Sequence, residues 1–201
     1  MKQFPLMKIL CLAAVLFGFL GILPAGMADG GAGTAKAFAF EQKPAEFVLL
    51  DQSGRVTRSD VAGFTDMVKM DYNRPRYNLQ INSEKGVTAV EDMFRKTARP
   101  DKETVAAAAK EAGSPVLVVL VVKRMDMWRI NYTPMWWDDD TAVHTYAYAD
   151  IYAYNADGDK YIARHIRKNE IREEGMEEDP YETIKYGLGN ALNRMEGKPQ
   201  I

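Results

Sequence analysis

The sequence predicts an α/β (α+β) domain: a mixed, mostly antiparallel sheet with a long C-terminal β-hairpin and helices packed mainly on one face. Three observations lead there. From His144 to Glu170 the residues alternate in character on either side of Asn155-Ala156-Asp157-Gly158-Asp159, the pattern of two strands and a tight loop. Val116 to Val122 is an unbroken apolar run dominated by valine, which fits a central strand covered on both faces. Elsewhere, apolar residues recur at helical spacing behind capping residues.

Each element has its own signal. Glu46 to Asp51 is a short apolar run closed by Gln52-Ser53-Gly54, a first, largely buried strand. Ser59 or Asp60 caps a helix with Val61, Phe64, Met67, Val68 and Tyr72 on one face, stopped by Asn73-Arg74-Pro75. Tyr77 to Ile81 alternates as a short strand. Val87, Val90, Met93, Phe94 and Thr97 mark a second helix, ended by Arg99-Pro100. Asp101 and Thr104 open a third, alanine-rich helix, and Gly113 supplies its left-handed terminus. The central strand follows Pro115 and continues through Lys123 to Trp128, where alternation returns, and Arg129 to Asp140 reads as a loop. After the hairpin, Asp179 caps, Pro180 takes the first helical position and Glu182 reaches back as a capping box. Tyr181, Ile184, Leu188, Ala191, Leu192 and Met195 form the apolar stripe of this last helix, which ends at Gly197.

The 201 residues divide into a signal peptide (1–28), a flexible linker (29–43), a single α/β domain (44–197) and a tail (198–201). Lys2 and Lys8 precede an apolar run from Ile9 to Leu23, then Pro24 and the small-residue pattern Gly26-Met27-Ala28, the anatomy of a secretory signal. Cleavage after Ala28 is the favoured reading. Ala37-Phe38-Ala39 also fits a cleavage site, and Leu6 to Leu23 nearly reaches a membrane-spanning length, so an uncleaved tether is the alternative. The single cysteine, Cys11, lies near the start of the apolar run, so no lipoprotein signal is read. Cleavage removes it, which excludes disulfides and thiol chemistry from the mature chain. Cleavage also leaves 24 basic against 28 acidic residues, a formal charge of −4. That balance argues against nucleic acid and anionic lipid as partners. Localisation is therefore periplasmic or extracellular, with membrane attachment only through a retained signal.

The hairpin carries a specific expectation. Gly158 at a left-handed bulge position of a three-residue loop pairs Asn155 with Asp159. Asp150 then faces Arg164, His144 faces Glu170, Tyr146 and Tyr154 face Lys168 and Lys160, and Tyr152 and Tyr148 face Ile162 and Ile166. The face with Ala147, Ala149 and Ala153 admits a closely packed helix, and the tyrosine face is assigned to solvent or a partner. The reverse, with tyrosine rings inside and hydroxyls wet, stays open.

No catalytic or cofactor motif is present. The mature serines, Ser53, Ser59, Ser83 and Ser114, lie outside any nucleophile-elbow context, and there is no glycine-rich phosphate loop. His144 and His165 fall on opposite hairpin faces in the expected register and form no dyad. Asp138-Asp139-Asp140 with His144 has the chemistry for a hard cation, but consecutive residues do not all face one ion, and no metal or other cofactor is implied. Trp136 and Trp137 in the loop, with Tyr146, Tyr148, Tyr152 and Tyr154 on the strand, are the candidate binding residues, because exposed aromatics enrich at interfaces.

The run from Thr104 to Val119, a helix, Ala112-Gly113 and an apolar strand, resembles a unit of exported α/β accessory domains. These include the amino-terminal domain of the Tol translocation protein B and the curli-secretion lipoprotein family. The following hairpin with Asp157-Gly158-Asp159-Lys160 and the closing helix extend the likeness over roughly Glu46 to Met195. The resemblance implies protein contacts in a bacterial envelope rather than catalysis. The leading expectation is a non-catalytic exported domain that binds an envelope protein or polymer. The alternatives are an envelope-acting hydrolase or metal-dependent enzyme using Asp138 to Asp140 with His144, and a carbohydrate-binding module on the tyrosine face. Oligomeric state is not legible.

Overall fold

A computed structural model describes residues 41–131 and 141–200. All of them belong to one compact unit, Ala39–Ile201. Trp136, Trp137 and Asp138 to Asp140 lie outside the described residues. The described residues form a five-stranded sheet of order β2-β1-β3-β4-β5 with four α-helices. The strands are β1 (Lys43–Asp51), β2 (Tyr77–Ile81), β3 (Val116–Asn131), β4 (Thr141–Asn155) and β5 (Lys160–Glu173), and the helices are α1 (Arg58–Lys69), α2 (Glu84–Lys96), α3 (Lys102–Ala112) and α4 (Pro180–Glu196). β1 runs parallel to β2 and β3, while the longer β3·β4 and β4·β5 ladders are antiparallel. The predicted class is the observed one.

The distribution of helices corrects one detail. They divide two and two: α1 and α4 bury Phe64, Val68, Ile184, Leu188 and Leu192 against one face, and α2 and α3 bury Val90, Met93, Val105 and Ala109 against the other. The topology requires this. The chain leaves β1 for β2 on one side and then returns across β1 to β3. Two right-handed crossovers taken in opposite directions lie on opposite faces. The alternation of the central strand fits such a double cover: Val118, Leu120 and Val122 enter the first core and Leu117, Val119 and Val121 the second.

Local chemistry sets the helix ends. Thr57, rather than Ser59 or Asp60, caps α1, and Asp60 completes a capping box by accepting from the Thr57 backbone. Asp101 accepts from the Thr104 backbone, and Gly113 ends α3 at φ 75°. Asp179 caps α4 and Pro180 opens it, but Glu182 turns outward to Lys185 instead of closing a box. The Glu46 side chain of β1, fully buried, accepts from both the backbone and the hydroxyl of Ser83, and so ties the start of α2 to the sheet.

The hairpin has a different register from the one expected. Asn155 pairs with Lys160, Asp150 with His165, His144 with Ile171, Tyr146 with Asn169, Tyr148 with Arg167, Tyr152 with Ala163 and Tyr154 with Tyr161. Ala156–Gly158 makes one 3-10 turn, Asn155 accepts from the Asp157 backbone, and Asp159, not Gly158, takes the left-handed conformation at φ 48°. Magnitudes explain the outcome. The expected pairs are each worth about 0.2–1 kcal/mol, but that register puts Ile162 and Ile166 on the tyrosine face. The observed one turns both toward the alanine face, where Ile166 is buried and Ile162 partly so. Burying one isoleucine contributes about 1.5–3 kcal/mol. That face is where α4 packs, and a Cβ on Gly187 would lie only 2.3 Å from the end of Ile166.

Candidate functional site

The length of the strands creates an uncovered surface. β3 has 16 residues, roughly 50 Å at ~3.3 Å per residue, whereas α2 and α3, of 13 and 11 residues, span roughly 16–20 Å. The two helices therefore cover the half of their face next to β1, and among the described residues no helix covers the far half of the β3–β4–β5 antiparallel sheet. The tyrosine row of β4 is divided by this boundary. Tyr152, 1% exposed, lies beneath α2 with Phe94 at 5.8 Å, and Tyr154 packs beside the α2–α3 core. Tyr152 is thus core rather than contact surface, and Tyr154 is only partly open; burial, reinforced by the charge of Asp150, pushes the Tyr152 phenol up to about 12. Tyr146 and Tyr148 stand on the uncovered half, each half-buried among neighbours.

A β-bulge completes this surface. The β3·β4 register shifts between Val122 and Arg124, leaving Lys123 without a partner position. One extra residue reverses which face each later side chain occupies. Even-numbered β3 residues enter the α1–α4 core up to Val122, but Arg124, Asp126 and Trp128 stand on the tyrosine face opposite Tyr148, Tyr146 and His144. Trp128 stacks on Tyr146 at 5.0 Å and 22° and lies 5.0 Å from His144, and it remains 40% exposed. The Arg124 guanidinium lies over the Tyr146 ring at 3.7 Å and over Trp128 at 5.5 Å, while its Nε donates to Asp126. Cation–π contact of this kind fixes the planar arginine against the aromatic ledge.

Between the ledge and the helices sits a charged cluster. The Asp150 side chain is 4% exposed and binds Lys123 at 2.5 Å, Arg167 at 2.6 Å and His165 Nδ1 at 2.7 Å, all from partners about half open to solvent. Burial alone pushes the Asp150 carboxyl up; the bonds from Lys123, His165 and Arg167 together overturn this and bring it down to about 2. A buried carboxylate thus holds cationic donors in place at the surface.

Trp128, Arg124 and Arg167 are the site residues sequence reasoning missed. The available signal was a conflict of phase: even positions are apolar through Val122, then become Arg124, Asp126 and Trp128. A charged residue pair cannot continue the buried stripe, so a bulge was implied. His144 and His165 share a face in the observed register, contrary to expectation. They are still apart, six residues along the ladder or roughly 20 Å, and each has its own partner: His144 meets Asn169 at 2.7 Å and His165 meets Asp150. Among the described residues no group of three His, Cys, Asp or Glu side chains is placed to hold a metal, and no helix is long and apolar enough to cross a membrane.

The fold and this surface define a doubly covered α/β domain with a projecting antiparallel sheet. No family model matches the chain, and no curated protein matches it. Solved structures are similar at a distance. The PelC dodecamer from Paraburkholderia phytofirmans is 9% identical with a TM-score of 0.36, covering 82% of this chain and 93% of that one. The hypothetical protein CT253 from Chlamydia trachomatis is 8% identical with a TM-score of 0.34, covering 77% and 91%. Lipoprotein GNA1162 from Neisseria meningitidis is 11% identical with a TM-score of 0.31, covering 77% and 100%. These scores describe a loose likeness and transfer no function.

Proposed function

We propose that this protein is a non-catalytic exported domain that binds an envelope protein or polymer on the uncovered face of β3, β4 and β5. One observation carries the reading: Trp128, Arg124, Tyr146 and His144 form a continuous aromatic ledge on a sheet face that α2 and α3 do not reach. Rigid aromatic and arginine side chains of this kind supply contact area at low entropic cost and dominate binding energetics. Export follows from the charge, apolar run and small residues of positions 1–28. Tyr148 adjoins the ledge, with its ring 5.9 Å from Tyr146. Trp136 and Trp137 belong to the same binding set on the strength of sequence, since they occupy the segment that joins the two ledge strands.

Capture from envelope extracts tests the proposal. Replacing Trp128 and Tyr146 together by alanine removes most of the material retained by the wild-type protein, and Trp136→Ala with Trp137→Ala reduces it. Lys110→Ala, on the far side of α3, leaves it unchanged. Retention by the Trp128/Tyr146 variant equal to wild type rejects the ledge as the binding surface.

A further inference from the structure

We infer that the outer edge of β5 pairs with the same edge of a second copy of this chain, antiparallel and about a two-fold axis at Asn169. Among the described residues β5 ends the sheet, with 14 residues and no strand beyond it. One contact sets the phase of its backbone. The Glu174 N–H donates to the Thr141 carbonyl, so position 174 and, by alternation, the even-numbered residues of β5 turn their backbone groups toward β4. The odd-numbered residues from Tyr161 to Glu173 therefore turn N–H and C=O outward, and those from Ala163 to Glu173 are exposed. What such a row recognises is another extended backbone. The opposite edge, β2, offers only five residues.

The order of charges along the edge selects the strand that adds to it. Lys160, Arg164, Arg167 and Lys168 occupy its first part, and Glu170, Glu173 and Glu174 its end, with Arg172 the exception. Charge of one sign blunts an edge against any neighbour. Charge sorted by sign repels a parallel, in-register copy and matches an antiparallel one. With the axis at Asn169, that residue exchanges two backbone hydrogen bonds with its equivalent. Lys168 then faces Glu170 of the second copy, His165 faces its Glu173 and Arg164 its Glu174. Moving the axis by one residue sets Arg164 or Lys168 against Arg172, and an axis at Ile171 leaves only 169–173 paired, because β5 ends at Glu173. Among the described residues Arg164 and Glu173 make no ion pair within the chain, and His165 uses Nδ1 for Asp150, which leaves Nε2 for Glu173. Lys168 and Glu170 already meet at 3.0 Å, so two copies bring four charges together in alternating sign, at positions where opposed side chains approach most closely. Tyr146 pairs with Asn169, so the axis crosses the row that carries the ledge. A two-fold perpendicular to the sheet keeps both ledges on one face, the two Tyr146 residues three strand spacings apart, roughly 14 Å.

Sedimentation equilibrium of the full exported protein tests the pairing, and its outcome is independent of what the ledge binds. The expected result is a monomer–dimer equilibrium. Asn169→Pro removes an outward N–H at the axis and none of the donors to β4, and should raise the dissociation constant at least about tenfold. Lys168→Glu and Glu170→Lys each set like charges across the axis and should each weaken self-association about tenfold. Mixed one to one, these two charge variants regain opposite charges at both places and should form a heterodimer within several-fold of wild-type affinity. Thermal melts of each variant show that the monomer is folded. A protein that stays monomeric up to about 1 mM overturns the inference. Self-association that neither charge variant weakens, or folded charge variants that stay apart when mixed, places the contact elsewhere and overturns it as well. An assembly larger than two copies overturns the closed two-fold.

Discussion

The two halves of the tyrosine face of β4 carry the same alternation and meet opposite fates. In the near half Tyr152 is a core residue, wedged between Phe94 and the valines of β3. In the far half Tyr146 carries Arg124 on its ring and meets Trp128 at the edge of solvent. Nothing in the strand itself separates them. The boundary is set by the reach of α2 and α3, which end long before β3 does, so coverage depends on another element's length. A strand's pattern says that a face exists; the helices decide whether it becomes core or contact surface.

Substitutions on either side of the boundary should differ accordingly. The largest effect belongs to the doubly covered half. Phe47→Ala, at a fully buried position of β1, should lower unfolding free energy by about 3–5 kcal/mol in denaturant titrations, and a loss below about 1 kcal/mol would mean that this half is loosely packed. Next comes Asp150, which sits on the boundary. The bonds from Lys123, His165 and Arg167 hold its folded carboxyl down at about 2, below the ordinary aspartate value of ~3.9. Its contribution is therefore fully present above about pH 4 and is lost as pH falls toward 2, on the order of 2 kcal/mol in all. Thermal melts of Asp150→Asn should show a shallower loss over that window than the wild type.

A smaller effect is expected at Gly113, where φ is 75° and an added Cβ would meet nothing within 4 Å. Gly113→Ala should cost about 1 kcal/mol through backbone conformation alone, read from the shift in denaturation midpoint at constant slope. The smallest belongs to the far half: Trp128→Ala should change stability by less than about 1 kcal/mol while removing partner capture. A Trp128→Ala loss as large as that of Phe47→Ala would erase the distinction between the halves and make the ledge a second core.

Much of the fold was legible because it rests on local chemistry. Tyr77 to Ile81 is a strand at the expected bounds, Asp101 and Gly113 delimit α3, and Ile184, Leu188, Leu192 and Met195 line α4 as their spacing requires. The alanine face of β4 does receive a helix closely. The candidate site was legible only in part. Alternation marks Tyr146 and Tyr148 as open-face residues but does not separate Tyr152 from them, and Trp128 reaches that face only through the bulge at Lys123. The register is not legible for a related reason: cross-strand pairing within the hairpin favours one alignment, while the decisive energy comes from Ile166 reaching α4, an element many residues away.

The sequence by itself determined the element list, the ends of α3 and α4, the class of fold and the presence of an aromatic, charge-bearing hairpin, since these depend on backbone preference and periodicity within a few residues. Only the tertiary structure decided which tyrosines are covered, which strand residues change face and which cations gather around Asp150. Those outcomes depend on burial summed across separate elements, where a buried isoleucine outweighs several surface pairs and the length of one helix fixes the exposure of another strand.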